Sequence, residues 1–291
     1  MMQLLSVVKR GQIYGTVLFL KLFTFCWALN ITPLPSSLRI HGLYKSYEQS
    51  LFRSLFNSAP LRAYTLNNVT LDVKQEFVLL VGRSDSGKSA LFRSVCCLDG
   101  RDAKVEGDIC INDRMSSSDG IGIGIGNGVK PILVDRKLTD KVKKDVTMRN
   151  FLIRSISSAS PKNVELMLND FAELLYLSKE DLEKKWFDLT PSSQFSITIL
   201  HASLASVADC ISSFDDADFR ESHYPILLLD ELFDFETSAI AGRVGVGVKN
   251  LVEHGGIVIL ATHKPQQIQS LANREIVLSG GKVLQDQHIG Y

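Results

Sequence analysis

One stretch decides the fold of this 291-residue chain, Gly82-Arg83-Ser84-Asp85-Ser86-Gly87-Lys88-Ser89. It fits the phosphate-loop pattern G-x-x-x-x-G-K-[ST]. The apolar run 77–81 before it predicts a buried strand, and residues 90–95 after it predict a helix. Between a strand and a helix, the backbone N–H groups of such a loop and the helix N-terminus can surround a phosphate. The sequence therefore predicts a binding site for a nucleoside triphosphate.

Two side chains at the end of this loop have predicted roles. Lys88 would reach the β- and γ-phosphates of ATP, and the Ser89 hydroxyl would ligate Mg²⁺. The residues expected to contact the nucleotide are Gly82, Arg83, Ser84, Asp85, Ser86, Gly87, Lys88, Ser89 and Ala90. ATP and Mg²⁺ are the expected ligands.

The composition is that of a globular protein with an apolar core, because 45% of the residues are hydrophobic and 22% are charged. The chain is long enough for one large α/β domain or two smaller ones. Lys and Arg number 32, as do Asp and Glu, so no basic field predicts a nucleic-acid partner. The five cysteines form no metal-ligand spacing, and we expect Cys96-Cys97 to be buried free thiols in a reducing, ATP-containing compartment.

The N-terminal segment, residues 1–37, differs from the rest of the chain. Its apolar stretch from Ile13 to Leu29 follows two basic residues and is interrupted by Lys21. A signal or organelle-targeting segment, a membrane anchor and an ordinary buried helix are three equal alternatives. The remaining residues, 38–291, are expected to form the catalytic domain.

Apolar runs and turn residues predict the strands and helices of this domain. The predicted strands are 38–47, 68–73, 77–81, an alternating edge strand at 107–113, 226–229 and 257–261, followed by a hairpin over 274–284 that turns at Gly280-Gly281. The stretch from Thr147 to about Ser206 is predicted to be helical, with an apolar face formed by Leu166, Leu168, Phe171, Leu174, Leu175 and Leu177. Residues 212–223 are predicted to be a surface loop. The order of elements predicts an α/β fold with a helical block inserted after the phosphate loop.

Two further strands end in chemically active side chains. The apolar run 226–229 continues into Asp230 and Glu231. Asp230 can hold Mg²⁺ through water opposite Ser89, and Glu231 can act as the general base on the attacking water. His263 follows the run 257–261, and at the same edge of the sheet it can bind the γ-phosphate and orient that water.

The glycine–isoleucine tract 120–126 invites a dinucleotide-binding interpretation. That motif must lie between a strand and a helix, and no helix is predicted to begin after the tract. An inserted flexible loop is the better prediction.

With these residues in place, the chain resembles the nucleotide-binding domain of ATP-binding cassette (ABC) proteins over about residues 38–284. Residues 82–89 match the Walker A motif, 226–231 match Walker B with its catalytic glutamate, and His263 matches the switch histidine. Residues 105–109 resemble the family's edge strand, and 147–152 resemble the start of its helical subdomain, which we place at about 147–206. The resemblance implies a P-loop NTPase fold with a mixed core sheet, an antiparallel β-subdomain at its edge and the inserted helical subdomain. It also implies that Tyr47 stacks on adenine, with Tyr64 as the alternative.

The chain departs from this family in the half of the site that is offered to a partner. The signature Leu-Ser-Gly-Gly-Gln is best matched by 190–194, where Gln194 is kept, Ser192 and Ser193 replace glycines, and Pro191 aligns with the phosphate-contacting serine. A shift by one residue would let Thr190 supply that hydroxyl. Residues 278–281 look like a better signature but follow His263 in a hairpin. The lid glutamine is absent, with Asp135 or Arg136 in its place, and the dimer-contact loop is either 234–237 or 237–240.

The resemblance implies an ATPase that dimerises head to tail with a second ABC domain and powers a membrane transporter through separate membrane-spanning subunits. The ATPase would then lie at a membrane and face the cytosol or an organelle interior. A non-transport ABC ATPase and an ATP-gated dimerising module with little turnover are the alternatives. An unrelated P-loop kinase would not explain Glu231 and His263 together.

Overall fold

The computed structural model describes residues 36–48, 62–100, 103–112, 114–115, 128–134, 146–156, 160–212, 224–234 and 237–289. Four of the sequence predictions lie outside the described residues: the apolar segment up to residue 35, the tract 120–126, Asp135 and Arg136, and nearly all of the predicted surface loop at 212–223. Among the described helices, none combines the length and the apolar character that a membrane span requires.

A four-stranded antiparallel sheet forms the β-subdomain. Its strands are β1 (Ser37–Glu48), β2 (Arg62–Lys74), β4 (Ala103–Ile111) and β5 (Arg114–Met115), in the order β2-β1-β4-β5. Strand β2 begins earlier than the predicted residue 68. Strand β4 pairs along its length with β1. The short strand β5 pairs with β4 at Cys110 and Ile111 and is the edge strand there, so the predicted edge strand at 107–113 lies at the edge only before Cys110.

A six-stranded mixed sheet forms the core. Its strands are β3 (Phe77–Val81), β6 (Pro131–Val134), β7 (Ile226–Asp230), β8 (Ile257–Thr262), β9 (Arg274–Ser279) and β10 (Lys282–His288), in the order β10-β9-β3-β8-β7-β6. All neighbouring pairs are parallel except β9 with β10. The predicted α/β fold with a mixed core sheet and an antiparallel subdomain is confirmed.

The sequence analysis missed strand β6. Its four residues are too few to show a period, and they gain their partner only in the folded chain, where they pair with β7. Ser206 fixes this edge, because its hydroxyl donates to the Lys130 carbonyl oxygen at 2.5 Å and accepts from the Ile226 N–H at 3.1 Å.

The central strands are apolar because both of their faces are covered. Every described side chain of β3 from Phe77 to Leu80 and of β7 from Ile226 to Leu229 is fully buried. Helix α1 (Lys88–Val95) follows β3, and helix α6 (Ser238–Glu253) lies between β7 and β8 in the chain. Thr237 caps α6 by accepting from the Ile240 N–H.

The helical region contains α2 (Met148–Ser155), α3 (Pro161–Leu174), α4 (Lys179–Glu183), a 3₁₀ turn (Trp186–Asp188) and α5 (Pro191–Ser212). Pro161 and Pro191 are each the first residue of a helix, where a missing N–H costs nothing. The predicted apolar face of α3 is wrong at Leu166, which is 49% exposed. The buried residues of α3 are Val164, Met167, Leu168, Phe171 and Ala172, and position 166 lies outside their i, i+3, i+4, i+7 pattern.

The two cysteines after the phosphate loop have different surroundings. Cys96 is half-buried, and burial raises the pKa of its thiol to about 12. Cys97 is exposed and has a left-handed backbone with φ of 51°, because α1 ends there. The prediction that both thiols are buried is therefore wrong for Cys97.

The strand order decides where the chemistry can take place. Strand β8 lies between β3 and β7, and all three are parallel. Their carboxyl ends therefore meet at one edge of the sheet, which is the edge where ligands bind in open α/β sheets.

Candidate nucleotide-binding site

The phosphate loop connects β3 to α1 and is closely packed at its two glycines. A Cβ at Gly82 would lie 2.4 Å from the Leu278 carbonyl oxygen. Gly87 caps α1 with φ of 106°, and a Cβ there would lie 2.8 Å from the Thr65 carbonyl oxygen. Asp85 has a left-handed backbone with φ of 63° although it is not a glycine. Both glycines of the pattern are therefore required by the fold.

Lys88 is folded back onto its own loop. Its ammonium donates to the Gly82 carbonyl oxygen at 2.8 Å and to the Arg83 carbonyl oxygen at 3.2 Å, and the residue is 5% exposed. The loop is therefore organised around this one positive charge. A phosphate that enters the loop would meet a cation already held at its centre.

Ser89 and Asp230 come together as the sequence predicted. Burial raises the pKa of the Asp230 carboxyl, a hydrogen bond from Ser89 partly opposes this, and the charge on Glu231 raises the pKa further. Among the residues that the structure describes, none forms a hydrogen bond with the buried Asp230 Oδ1. A buried, unpaired carboxylate oxygen beside a hydroxyl suits a hard cation, because Mg²⁺ prefers oxygen ligands. The residues present therefore fit a magnesium ion.

Glu231 lies where the chain turns away from β7. Its backbone is left-handed with φ of 52°, and its N–H donates to the Ala261 carbonyl oxygen at 2.9 Å. A left-handed glutamate is uncommon, and such residues are found where the surroundings fix the backbone. The turn leaves the Glu231 side chain 41% exposed at the edge of the sheet.

His263 meets Glu231 directly. Its Nε2 lies 2.7 Å from Glu231 Oε1, and its side chain is 36% exposed. The two residues are 32 positions apart in the chain but follow the neighbouring strands β7 and β8. The fold thus brings a carboxylate and an imidazole together beside the phosphate loop.

Asp234 is a member of this site that the sequence analysis placed only in one alternative for the dimer-contact loop. It is 5% exposed, and its carboxylate accepts hydrogen bonds from the Thr262 hydroxyl and from the His263 N–H. Glu231, Asp234 and His263 each have a ligand-type atom within 4.8 Å of the others. The sequence signal was a carboxylate four residues beyond Asp230 in a segment assigned only to a dimer contact.

The signature-like segment begins α5. Thr190 precedes the helix, and its hydroxyl oxygen accepts from the Ser193 N–H at 3.2 Å, which is the geometry of an N-cap. The same hydroxyl lies 3.1 Å from Ser192 Oγ and 2.9 Å from Ser193 Oγ. Gln194 donates to the Trp186 carbonyl oxygen at 2.9 Å. The three hydroxyls bond to one another, Gln194 bonds to the preceding 3₁₀ turn, and Thr190 is the N-cap of α5.

The two candidate aromatic residues lie on paired strands of the β-subdomain. Tyr47 is 37% exposed, and the ammonium of buried Lys45 lies 5.4 Å from the centre of its ring. Lys45 also forms an ion pair with Asp99 and donates to the Ala90 carbonyl oxygen of α1 at 3.4 Å. Tyr64 is 53% exposed and packs edge-on against Tyr44. Tyr47 is therefore connected through Lys45 to α1, the helix that follows the phosphate loop.

Comparisons with known proteins find similarity at the level of structure. No protein-family model matches the chain, and a search of curated proteins finds no match. The dimeric bacterial ABC transporter cassette MJ0796 is similar with a TM-score of 0.59 at 19% identity, covering 87% of this chain and 98% of that chain. Its post-hydrolysis state, bound to ADP and Pi, has a TM-score of 0.58 at 20% identity with the same coverage. The ADP conformation of the ABC transporter cassette MJ1267 has a TM-score of 0.61 at 16% identity, covering 87% and 91%.

These similarities define the class of structure. The chain has a P-loop NTPase fold. More particularly, it has the fold of the nucleotide-binding cassette of ABC proteins, as the Walker motifs and the switch histidine had indicated.

Proposed function

We propose that this chain is an ABC-type ATPase that binds ATP with Mg²⁺ and hydrolyses it. The observation that carries the proposal is the contact between Glu231 and His263, 2.7 Å apart, at the strand edge that also carries the phosphate loop and Asp230. A P-loop alone would predict only nucleotide binding. A carboxylate and an imidazole brought together beside it supply groups that can act on water.

In this proposal the phosphates of ATP bind to the loop 82–89. Their negative charge draws the Lys88 ammonium away from the Gly82 and Arg83 carbonyl oxygens, because a charge-assisted bond to phosphate is stronger than a bond to a neutral carbonyl. Ser89 and Asp230 hold the magnesium ion, which would neutralise charge that develops on the phosphates. Tyr47 is the residue proposed to stack on adenine, because its face of the β-subdomain is joined to α1 through Lys45.

The proposed reaction is the in-line attack of water on the γ-phosphorus. Glu231 accepts a proton from the water as its oxygen bonds to phosphorus, and the bond from the γ-phosphorus to the β–γ bridging oxygen breaks to release ADP. His263 holds the water and the γ-phosphate in line. The partial exposure of both side chains leaves room for a water and for a partner surface above them.

The partner would be a second ABC domain, either another copy or a related chain, placed head to tail. The start of α5 would then face the nucleotide of the partner, with the Thr190 hydroxyl as the phosphate contact and Ser192, Ser193 and Gln194 around it. Transport would further require separate membrane-spanning subunits, which would place the ATPase at the face of a membrane in an ATP-containing compartment. The similarity of fold to the ABC transporter cassettes MJ0796 and MJ1267 supports this part of the proposal.

A second candidate function, closure of a dimer on ATP with little turnover, is favoured by one observation. Pro191 is the first residue of α5 and has no N–H, and the Ser192 and Ser193 hydroxyls are engaged with Thr190. The start of the helix therefore offers no N–H at position 191, and the hydroxyls of Thr190, Ser192 and Ser193 are bonded to one another rather than directed to a phosphate.

Nucleotide binding by a Lys88→Ala variant tests the proposal. We expect loss of measurable ATP affinity in calorimetry, while Lys179→Ala, which removes an exposed lysine of the helical region, binds like the wild type. Unchanged ATP affinity in folded Lys88→Ala protein would refute the assignment of the loop. The rate of phosphate release by the wild type then distinguishes the two candidate functions. An ATPase releases phosphate continuously, whereas a low-turnover dimer releases little.

A further inference from the structure

The carboxylate of Asp234 has an environment that the proposed reaction does not explain. It lies in the turn after β7 and is 5% exposed. Its Oδ1 accepts from the Thr262 hydroxyl, and its Oδ2 accepts from the His263 N–H at 2.9 Å. A buried carboxylate is costly unless it is hydrogen-bonded, and both oxygens of this one have donors.

These bonds close a ring that contains both residues proposed to act on water. The Asp234 N–H donates to the Glu231 carbonyl oxygen at 3.3 Å. Its carboxylate binds the backbone of His263, and the His263 ring returns to the Glu231 side chain at 2.7 Å. The ring thus connects the turn after β7 to the end of β8 at two points.

The same carboxylate also fixes the end of β8 on its other side. The Thr262 hydroxyl, which donates to Asp234, accepts from the Lys264 N–H at 2.9 Å. The backbone on both sides of His263 is therefore held, directly or through one hydroxyl, by one buried side chain. An imidazole on an otherwise mobile turn would lose its alignment with Glu231.

We propose that Asp234 is a positioning residue that sets the distance between the His263 ring and the Glu231 carboxylate. It acts through the backbone of His263, and both of its oxygens are turned toward protein donors rather than toward a substrate. This inference rests on the proposed function in so far as it concerns turnover. Its geometric content, the fixed position of the His263 ring, is independent of turnover.

The activity test compares Asp234→Ala with Asp234→Asn in the full chain. Alanine removes both acceptors, and we expect kcat to fall about tenfold to a hundredfold, because small misplacements of catalytic groups have effects of that size. The KM for ATP should stay within about twofold of the wild type, because Lys88 and the phosphate loop are untouched. Asparagine keeps one oxygen for the His263 N–H and an amide that can donate to the Thr262 hydroxyl, and it should restore most of kcat.

The geometric test measures carbethoxylation of His263 by mass spectrometry. We expect the modification rate to rise several-fold in Asp234→Ala and to stay at the wild-type value in Asp234→Asn, with exposed His254 as the internal reference. Asp181→Ala is the matched control, because it removes a carboxylate bonded to Ser178 and Lys184 in the helical region. If Asp234→Ala does not fold, Asp234→Leu fills the same space without acceptors and replaces it.

The two tests separate the two proposals. An unchanged His263 modification rate in Asp234→Ala overturns the positioning role, whatever the ATPase activity. A wild type that hydrolyses no ATP overturns the proposed function, while faster modification of His263 in the variant still upholds the positioning role. A parallel rise in KM and fall in kcat in both substitutions would assign Asp234 to general stability and contradict the inference.

Discussion

The backbone N–H of Gly281 donates to the carbonyl oxygen of Ser86 at 2.9 Å, so that the turn between β9 and β10 supports the phosphate loop. The Gly281 carbonyl oxygen in turn accepts from the Asn67 N–H of β2 at 2.8 Å. One residue therefore joins the phosphate loop to the β-subdomain. Residues 278–281 resemble the signature in sequence, but they lie at the end of β9 and in the turn that follows it, where Gly281 contacts the phosphate loop.

Gly281 and Gly280 form a matched pair for testing that support. Both have left-handed backbones, with φ of 72° and 53°, so alanine carries a similar conformational cost at each. A Cβ at Gly281 would lie 2.5 Å from the Thr65 carbonyl oxygen, whereas a Cβ at Gly280 meets nothing within 4 Å. We expect Gly281→Ala to weaken ATP binding about tenfold in calorimetry, a loss of about 1.4 kcal/mol, and Gly280→Ala to change it little. Equal affinities in the two variants would show that the turn does not shape the loop.

Replacing Glu231 or His263 should stop chemistry without removing the nucleotide. Glu231→Gln keeps the shape of the side chain but loses the base, so we expect phosphate release to fall about a hundredfold or more. This variant should bind ATP and accumulate as a closed dimer in size-exclusion chromatography with ATP and Mg²⁺. His263→Ala should also lose turnover and form a weaker dimer. Full hydrolysis by Glu231→Gln would remove Glu231 from the catalytic role, and Asp234, with both oxygens bonded, would be a poor substitute.

Substitutions at the start of α5 should raise the rate at which a homodimer hydrolyses ATP. Ser192→Gly combined with Ser193→Gly frees the Thr190 hydroxyl and lets the backbone approach a phosphate more closely. We expect phosphate release by the homodimer to increase several-fold, with Thr190→Ala in the same background cancelling the gain. A rate that stays the same or falls would indicate that this segment does not face a nucleotide.

The parts of this site that could be predicted from sequence are those fixed by local pattern. Strands β3, β7 and β8 are covered on both faces and therefore appear as short apolar runs. The loop after β3 leads to Lys88, β7 ends at Asp230, and His263 follows β8. The predicted parallel arrangement of their strands placed Glu231 and His263 at the same edge of the sheet, but their direct contact was not predicted. Leu166 was assigned wrongly because a leucine-rich helix offers more apolar residues than its buried face can hold.

The remaining parts depend on contacts between distant residues. The Asp234 bonds to Thr262 and His263 span 28 and 29 residues, and they arise only because β7 and β8 are neighbours in the sheet. The support of Ser86 by Gly281 requires β9 to pair with β3, which no local pattern reveals. The sequence analysis considered Thr190 only as a possible phosphate contact and did not predict its N-cap position, which the bond from the Ser193 N–H shows.

Asp230 should make the protein less stable than an uncharged residue would. Its folded-state pKa is raised above the ordinary value, first by burial and then by the charge on Glu231. Above that raised pKa the carboxylate is charged in both the folded and unfolded states, and the folded state bears the cost of burying the charge. As the pH falls through the raised pKa and then below the unfolded value, the carboxyl is protonated in both states and the cost disappears.

Asp230→Asn removes this cost and should therefore raise the melting temperature at neutral pH, where each 1 kcal/mol of stability gained corresponds to about 2–4 °C for a domain of this size. The gain should shrink as the pH falls through the raised pKa, and it should be absent below the ordinary aspartate pKa of about 3.9. The same variant should lose the magnesium-dependent part of its ATP affinity, since the amide is a weaker ligand for a hard cation.

Melting curves recorded across pH measure the effect, with Asp181→Asn as the control. The control should lose stability at neutral pH, because hydrogen bonds from Lys184 and Ser178 lower the pKa of the Asp181 carboxyl although burial opposes them. A stability gain for Asp230→Asn that is equal at pH 3 and pH 8 would contradict a buried charge as its cause, and a loss of stability at pH 8 would show that Asp230 supports the fold more than burial of its charge weakens it.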